Sequence, residues 1–236
     1  MHLLELYALN SGGSKIDKCF ILDKYFSLPF TKYITFQPKS QYDSKCYDYW
    51  FEVISLLKPI LDKEDIKIVQ IGDKDDRQIE GTHFVSGQTN LGNVAFLIKN
   101  SLLNLSVDSF SAHIAGHYNI PLVDLISNNW KQAVQPYFGD RDKQIILEPI
   151  RKGMKPSFSA VEQPKSINSI SPEVVASSVC SLLKLSFNFP YSSVLFGNNY
   201  QNKIVEGVLD QVTEVSRLGL NNLLVRMDLL FDENML

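Results

Sequence analysis

Between residues 33 and 184 strand-like and helix-like segments alternate with little interruption, and this alternation narrows the possible folds more than any other feature of the chain. Tyr33-Ile34-Thr35-Phe36-Gln37 is a β-rich run after Pro29. A helix follows, with Asp48 as its expected cap and Trp50, Val53, Ile54, Leu57, Ile60 and Leu61 at helical spacing. Further strands are expected at Ile66–Ile71, Leu102–Val107, Pro121–Ile126 and Gln144–Leu147. Further helices are expected at Leu91–Lys99, Ala112–His117 and from Ser171 to Leu183, the last with Pro172 at its first position. Near-continuous apolar strands between helices predict a parallel sheet covered on both faces, so 33–184 reads as one doubly wound α/β domain with its first strand central. Such sheets bind ligands beyond the carboxyl ends of their strands. The loops of interest are therefore 38–47, 72–81, 108–113 and 127–140.

The flanks are different. Residues 1–32 form a lead-in that opens with a short apolar helix, Leu3 to Leu9, stopped by Asn10-Ser11-Gly12-Gly13. The Pro/Ser/Lys-rich stretch around 150–170 predicts an irregular surface crossing. Residues 185–236 read as a small α+β extension or the start of a further domain. Its expected strands are Ser193–Phe196, Lys203–Leu209 and Leu223–Asp228, with a helix over Gln211–Arg217.

With 44% hydrophobic and 21% charged residues in 236, the chain is neither disordered in bulk nor fibrous. Lys plus Arg number 23 against 26 Asp plus Glu, a net charge of −3 that gives no reason to expect a nucleic-acid partner or an anionic membrane. Cys19, Cys46 and Cys180 show neither metal-site spacing nor a disulfide framework, in keeping with a reducing compartment. No apolar run reaches the roughly 18 residues of a membrane span. The start, MHLLELYALNSGG, lacks a basic leader and carries Glu5 early. A soluble, cytoplasmic protein is the expectation.

The most informative segment is Leu102 to Ala115, LLNLSVDSFSAHIA. A strand ends at Val107, an acid and small polar residues follow, and a helix is expected to start at Ala112-His113. Free N–H groups at a helix N-terminus bind phosphate oxygens, and small residues let the phosphate approach. Asp108, Ser109, Ser111, Ala112 and His113 are thus phosphate-binding candidates. The ordinary alternative is that Asp108 and Ser109 only cap a helix, and spacing alone leaves both open. Lys45, in the loop after the first strand, suits a diphosphate, and an ordinary solvated lysine is the competing reading.

This segment resembles the signature of the ADP-heptose:lipopolysaccharide heptosyltransferases, glycosyltransferase family nine, in which a strand leads into an Asp-Ser/Thr-Gly-x-x-His-(Ile/Leu)-Ala turn. Asp108, Ser109, His113, Ile114 and Ala115 match, while Phe110 stands in place of the glycine. Tyr33 to Pro38 followed by Ser44-Lys45 is similar to the family's first strand and phosphate loop, and Gln70 to Asp76 to its second strand and ribose-facing loop. Thr89–Lys99, Tyr118–Leu125 and Ile170–Val174 also resemble family segments, so the likeness covers roughly 30–184. Lys39 replaces a small residue, and Asn128-Asn129-Trp130 departs from the family's usual turn.

The resemblance implies a Rossmann-like domain, the nucleotide-binding C-terminal half of a GT-B fold. In it Lys45 would meet a diphosphate and Asp75 and Asp76 would face the ribose, with an ordinary solvated charge run as the alternative; Trp130, in a cleft-side loop, is open to stacking on a base or sugar or to loop packing. It implies no metal and no cofactor beyond a nucleotide-diphosphate sugar as donor substrate. It also places the acceptor site and catalytic base on a domain that 32 residues cannot form, so a separate acceptor-binding chain or self-association would have to complete it.

Other patterns carry less. His113 and His117 are four apart, but Ile114 stands where a zincin helix has Glu. Ser11-Gly12-Gly13-Ser14-Lys15 lacks the full phosphate-loop pattern. Trp50 reads as core. Two functions stay open: a glycosyltransferase-like donor half, or a non-catalytic binding or assembly module derived from one. A piece of a longer polypeptide is a third reading.

Overall fold

A computed structural model describes residues 1–193, 204–207 and 222–225. Compact packing divides the chain into two units, Met1–Ser193 and Val194–Leu236. In the second, strands β7 (Ile204–Gly207) and β8 (Asn222–Val225) pair in parallel. The helix expected at Gln211–Arg217, and most of the strand expected at Ser193–Phe196, lie outside the described residues; Ser193 itself is not in a strand.

The first unit is an α/β, Rossmann-like domain. Its strands are β1 (Tyr33–Gln37), β2 (Lys67–Gln70), β3 (His83–Phe84), β4 (Asn104–Val107), β5 (Leu122–Leu125) and β6 (Gln144–Leu147). All pair in parallel, in the order β3-β2-β1-β4-β5-β6. The order reverses between β1 and β4, and the crevice at such a switch point is where doubly wound sheets bind ligands. The register Phe36↔Leu105 and Gln37↔Ser106 brings the carboxyl ends of these two strands side by side.

Helices α2 (Trp50–Lys63) and α6 (Pro172–Leu183) cover one face. Trp50, Val53, Ile54, Leu57 and Leu61 form a buried stripe on α2, packed against Ile34, Phe36, Leu105 and Val107 of the sheet. Helix α6 begins as its sequence requires: Ser171 Oγ accepts the Val174 N–H at 3.4 Å and Pro172 opens the helix. Helices α3 (Leu91–Lys99) and α4 (Phe110–Tyr118) cover the other face. Asn90 caps α3, its side chain accepting the Asn93 N–H at 3.0 Å.

The lead-in starts with α1 (Leu3–Asn10) and runs as an extended strap over α3 and α4, where Asn93 Nδ2 donates to the carbonyls of Lys24 and Tyr25. A short helix, α5 (Lys131–Val134), follows β5. At Gly116 a Cβ would lie 2.7 Å from both Phe138 O and Pro136 Cβ, so only glycine lets α4 approach the 136–138 turn this closely.

Several expectations need correction. Helix α2 starts one residue later than a cap at Asp48 requires: the Asp48 carboxylate instead accepts Lys165 Nζ and Asn168 Nδ2, both at 2.7 Å, so it ties the 165–168 crossing down. Helix α4 starts at Phe110 rather than at Ala112-His113, because Ser109 has the extended backbone of a cap residue. The two-residue strand β3 and the one-turn helix α5 are too short to show a period. Nor are the strands uniformly apolar. Thr35, Asn104, Ser106 and Asp124 are all buried on the α3/α4 face.

Candidate functional site

The carboxyl ends of β1, β2 and β4 open into a polar cleft of about 1030 Å³, bounded by the N-termini of α3 and α4. Alternation along β4 brings Asp108 to the same face as Asn104 and Ser106, at the point where the strand stops. Lys45 reaches it from the 3-10 turn Asp43–Lys45, with Nζ 2.7 Å from Asp108 Oδ2. The pair is mostly enclosed, the two side chains being 19% and 6% exposed, so the attraction is screened less than in a surface ion pair.

Residues around Lys45 hold its turn in place. Fully buried Ser44 donates its hydroxyl to Ser159 O at 2.7 Å, and Asn128 Nδ2 donates to Ser44 Oγ at 3.0 Å and to Ser159 O at 2.6 Å. The buried amide of Asn128 thus locks the lysine turn to the 150–170 crossing, a role its place in the 127–140 loop does not reveal.

Ser109 faces the cleft, where its Oγ accepts Gln37 Nε2 at 2.9 Å. Gln37 Oε1, buried in the cleft lining, has no hydrogen-bond partner in the protein, and the same holds for Thr89 Oγ1. Buried acceptors and hydroxyls without partners are costly, and these two lie on residues of the cleft lining. Gln37 was legible only as a strand residue. Its signal is its position as the last residue of β1, next to the switch point.

The other candidates divide. Asp76 lines the cleft, its Oδ1 lies 3.5 Å from Lys39 Nζ and its Oδ2 accepts the Asp73 N–H at 2.9 Å. A Cβ at Gly72 would lie 2.1 Å from Asp76 Oδ2, so any side chain there would displace this carboxylate. Asp75 is exposed and outside the lining. Ser111 and Ala112 are buried in the first turn of α4 and outside the cleft lining, and the Ala112 N–H donates to Ser109 O at 3.2 Å. Trp130 is 42% exposed at the start of α5 and lines neither the cleft nor the cavity beside it. Phe110, 41% exposed, projects into the cleft lining at the first position of α4.

His113 lines the cleft one turn into α4. Desolvation by the surrounding protein holds its pKa below the ordinary 6.5, against the opposing pull of Asp108. Behind the ion pair, Asp124 is wholly enclosed and accepts Ser106 Oγ at 3.1 Å. Burial, reinforced by the Asp108 charge, raises its pKa well above 3.8, and the Ser106 bond and Lys45 only partly offset this.

Among the described residues no group of three or more His, Cys, Asp or Glu side chains is placed to hold a metal ion. Nor is any helix among them long and apolar enough to cross a membrane.

The model of glycosyltransferase family 9 (heptosyltransferase) matches residues 16–165. No curated protein matches the sequence. Among solved structures, E. coli ADP-heptose LPS heptosyltransferase II superposes with a TM-score of 0.52 at 19% identity, over 76% of this chain and 51% of that one. A family 9 glycosyl transferase from Veillonella parvula gives 0.52 at 18% identity, over 77% and 50%. The dodecameric, iron-containing glycosyltransferase TibC of enterotoxigenic E. coli gives 0.53 at 13% identity, over 67% and 46%. At these identities the likeness concerns the fold. The chain spans about half the length of the solved structures it matches.

Proposed function

The chain belongs to glycosyltransferase family 9, and from that premise we propose that the polar cleft binds the diphosphate of a nucleotide sugar, making residues 33–184 the donor-side half of a glycosyl transfer system. The observation that carries this reading is the placement of Lys45 beside Asp108 at the start of α4, at the sheet's switch point. An incoming diphosphate would draw Nζ from Asp108, and the first-turn N–H groups of α4 would share its charge. Gln37 and Thr89 also line the cleft, and in this reading Asp76 takes a ribose hydroxyl. The solved enzyme named for ADP-heptose chemistry supports the same ligand class. This reading calls for no metal, because Lys45 and the helix end offset the leaving-group charge. In this reading the protein is cytoplasmic.

Transfer also needs an acceptor hydroxyl and a base within hydrogen-bond reach. In this reading residues 1–32 are a linker, 185–236 an extension, and a separate acceptor-binding chain or self-association completes the cleft. Holding two reactants together contributes about 7–11 kcal/mol to such catalysis, so the isolated chain should not turn over at an enzyme-like rate. A second reading, a non-catalytic binding or assembly module, draws on Phe110, whose ring stands at the helix end that would receive the phosphate.

Calorimetry with ADP, UDP and GDP tests the site. Binding by at least one is expected, and Lys45→Ala should weaken it about tenfold, the order of one charged hydrogen bond. No binding at millimolar nucleotide removes the donor-site reading. Binding restored only by Phe110→Gly favours the module. Robust transfer by the isolated monomer, across a panel of nucleotide sugars, would show that the acceptor side is already present.

A further inference from the structure

Lys45, Asp108 and His113 form a wall between the polar cleft and a second cavity of about 500 Å³. The second cavity differs in character. Its sides are Leu3 and Tyr7 of α1, Ile21 of the lead-in, Val134 of α5, and the rings of Tyr137 and Phe138. Helix α1 is fastened over it by His2, whose Nε2 lies 2.8 Å from Gln135 O and whose ring meets Tyr137 edge-on at 4.9 Å. His2, His117 and Asn129 also line it, so a largely apolar cavity carries a few polar groups, the common form of a small-molecule site.

We propose that this cavity is a second ligand site, and that it takes a neutral, mostly apolar molecule carrying a hydroxyl group. The chemistry of its inner end selects the head group. On this side Lys45 is paired with Asp108 at 2.7 Å and, unlike in the polar cleft, Ser109 and Phe110 at the start of α4 are not in the lining, so an anionic head would face the Asp108 carboxylate with little to offset it. A cationic head would meet Lys45 in the same way. A hydroxyl both donates and accepts, and it can satisfy Asp108 or the neutral His113 ring on one side and a Lys45 proton on the other. The aromatic walls suit a ring or short aliphatic body. Desolvation lowers the His113 pKa and so favours the neutral ring, which keeps one accepting nitrogen for such a partner. The cavity shares Lys45, Asp108 and His113 with the polar cleft, but its apolar walls and its probe are separate, so its test does not depend on nucleotide binding.

The test uses the full chain with 4-ethylphenol and ethylbenzene as probes, followed by saturation-transfer NMR and titration. The phenol should bind with a Kd of roughly 0.1–1 mM, in the range open to a ligand of that size. Ethylbenzene should bind about fivefold or more weakly, the order of one hydrogen bond. His113→Ala should bring the phenol down to the ethylbenzene level while leaving ethylbenzene unchanged. Ala133→Trp fills the cavity from α5 and should abolish both signals. Cys19→Trp fills it from the exposed lead-in and guards against misfolding of the first variant, with circular dichroism confirming the fold of each. Equal binding of the two probes, or no binding at millimolar concentration, overturns the proposal. So does binding that survives both tryptophans. A concentration-dependent dimer that excludes the phenol would assign the cavity to a second copy of the chain, and would overturn it as well.

Discussion

Alternate residues of the same strands build the face under α2 and α6 and the face under α3 and α4, yet the two differ in kind. The first is apolar throughout the central strands: Ile34 and Phe36 of β1, Leu105 and Val107 of β4, and Val123 and Leu125 of β5 are 0% exposed and pack on the α2 and α6 stripes. The second carries a buried polar ladder. Thr35 Oγ1 donates to Asn104 Oδ1 at 2.9 Å, Asn104 Nδ2 to Ser106 Oγ at 3.2 Å, and Ser106 Oγ to Asp124 Oδ1 at 3.1 Å. Two residues beyond Ser106 stands Asp108 with its lysine. Apolar burial is non-directional and supplies most of the driving force for folding. A buried polar network adds little net stability but holds its members in one geometry. One face therefore secures the sheet, and the other aims the cleft.

The sharpest way to break this division is to truncate the apolar face. Leu57→Ala removes a fully buried side chain of α2 and should cost about 3 kcal/mol in denaturant unfolding, from lost burial and the cavity left behind. Nucleotide affinity of the remaining folded protein should stay within about twofold of the parent, a difference of only some 0.4 kcal/mol. A large loss of affinity would mean that the faces are not separable.

Lys45→Ala acts on the other face and should do two things at once. Besides its tenfold effect on binding, it leaves Asp108 enclosed without its cation and should cost about 2 kcal/mol of stability. The double variant Lys45→Ala/Asp108→Asn should recover most of that stability while binding stays weak. Stability that does not recover would place the role of Lys45 in packing.

Asp124 sharpens the comparison through pH. An acid whose folded pKa is raised binds more protons folded than unfolded, so its contribution is fully present below the unfolded value of about 3.8 and is lost as pH rises toward the folded value. Asp124→Asn should accordingly match the parent near pH 4 and become increasingly more stable than it as pH rises toward the folded pKa of Asp124. Parallel stability curves for the two proteins across that range would show that Asp124 is not held protonated. The smallest effect is expected at Ser171→Ala, a lost helix cap costing about 0.5–1 kcal/mol with no change in binding.

Much of this was legible in the residues. The α2 stripe, the Ser171-Pro172 start of α6 and the six residues from Leu102 to Val107 are local patterns, and the central place of β1 follows from strand–helix alternation. Lys45, Asp108, Ser109 and His113 do meet in one cleft. The misjudged cap at Asp48 has a simple cause: an acid before a helix looks the same in sequence whether it caps the helix or binds a lysine 117 positions away. The polar ladder was hidden for a related reason. The alternation Asn104-Leu105-Ser106-Val107-Asp108 is plain to read, but polar residues at period two ordinarily mean a wet face.

By itself, then, the sequence determined the kind of fold and the strand end where Asp108 and Ser109 stand, because periodicity and turn chemistry act over a few residues. Only the tertiary structure decided that the polar face of β4 is buried, that Gln37 and Thr89 line the cleft, and that one ion pair divides a polar space from an apolar one. Those outcomes depend on which strands and helices lie side by side. Contacts such as Lys45 with Asp108, 63 positions apart, exist only after the chain has closed.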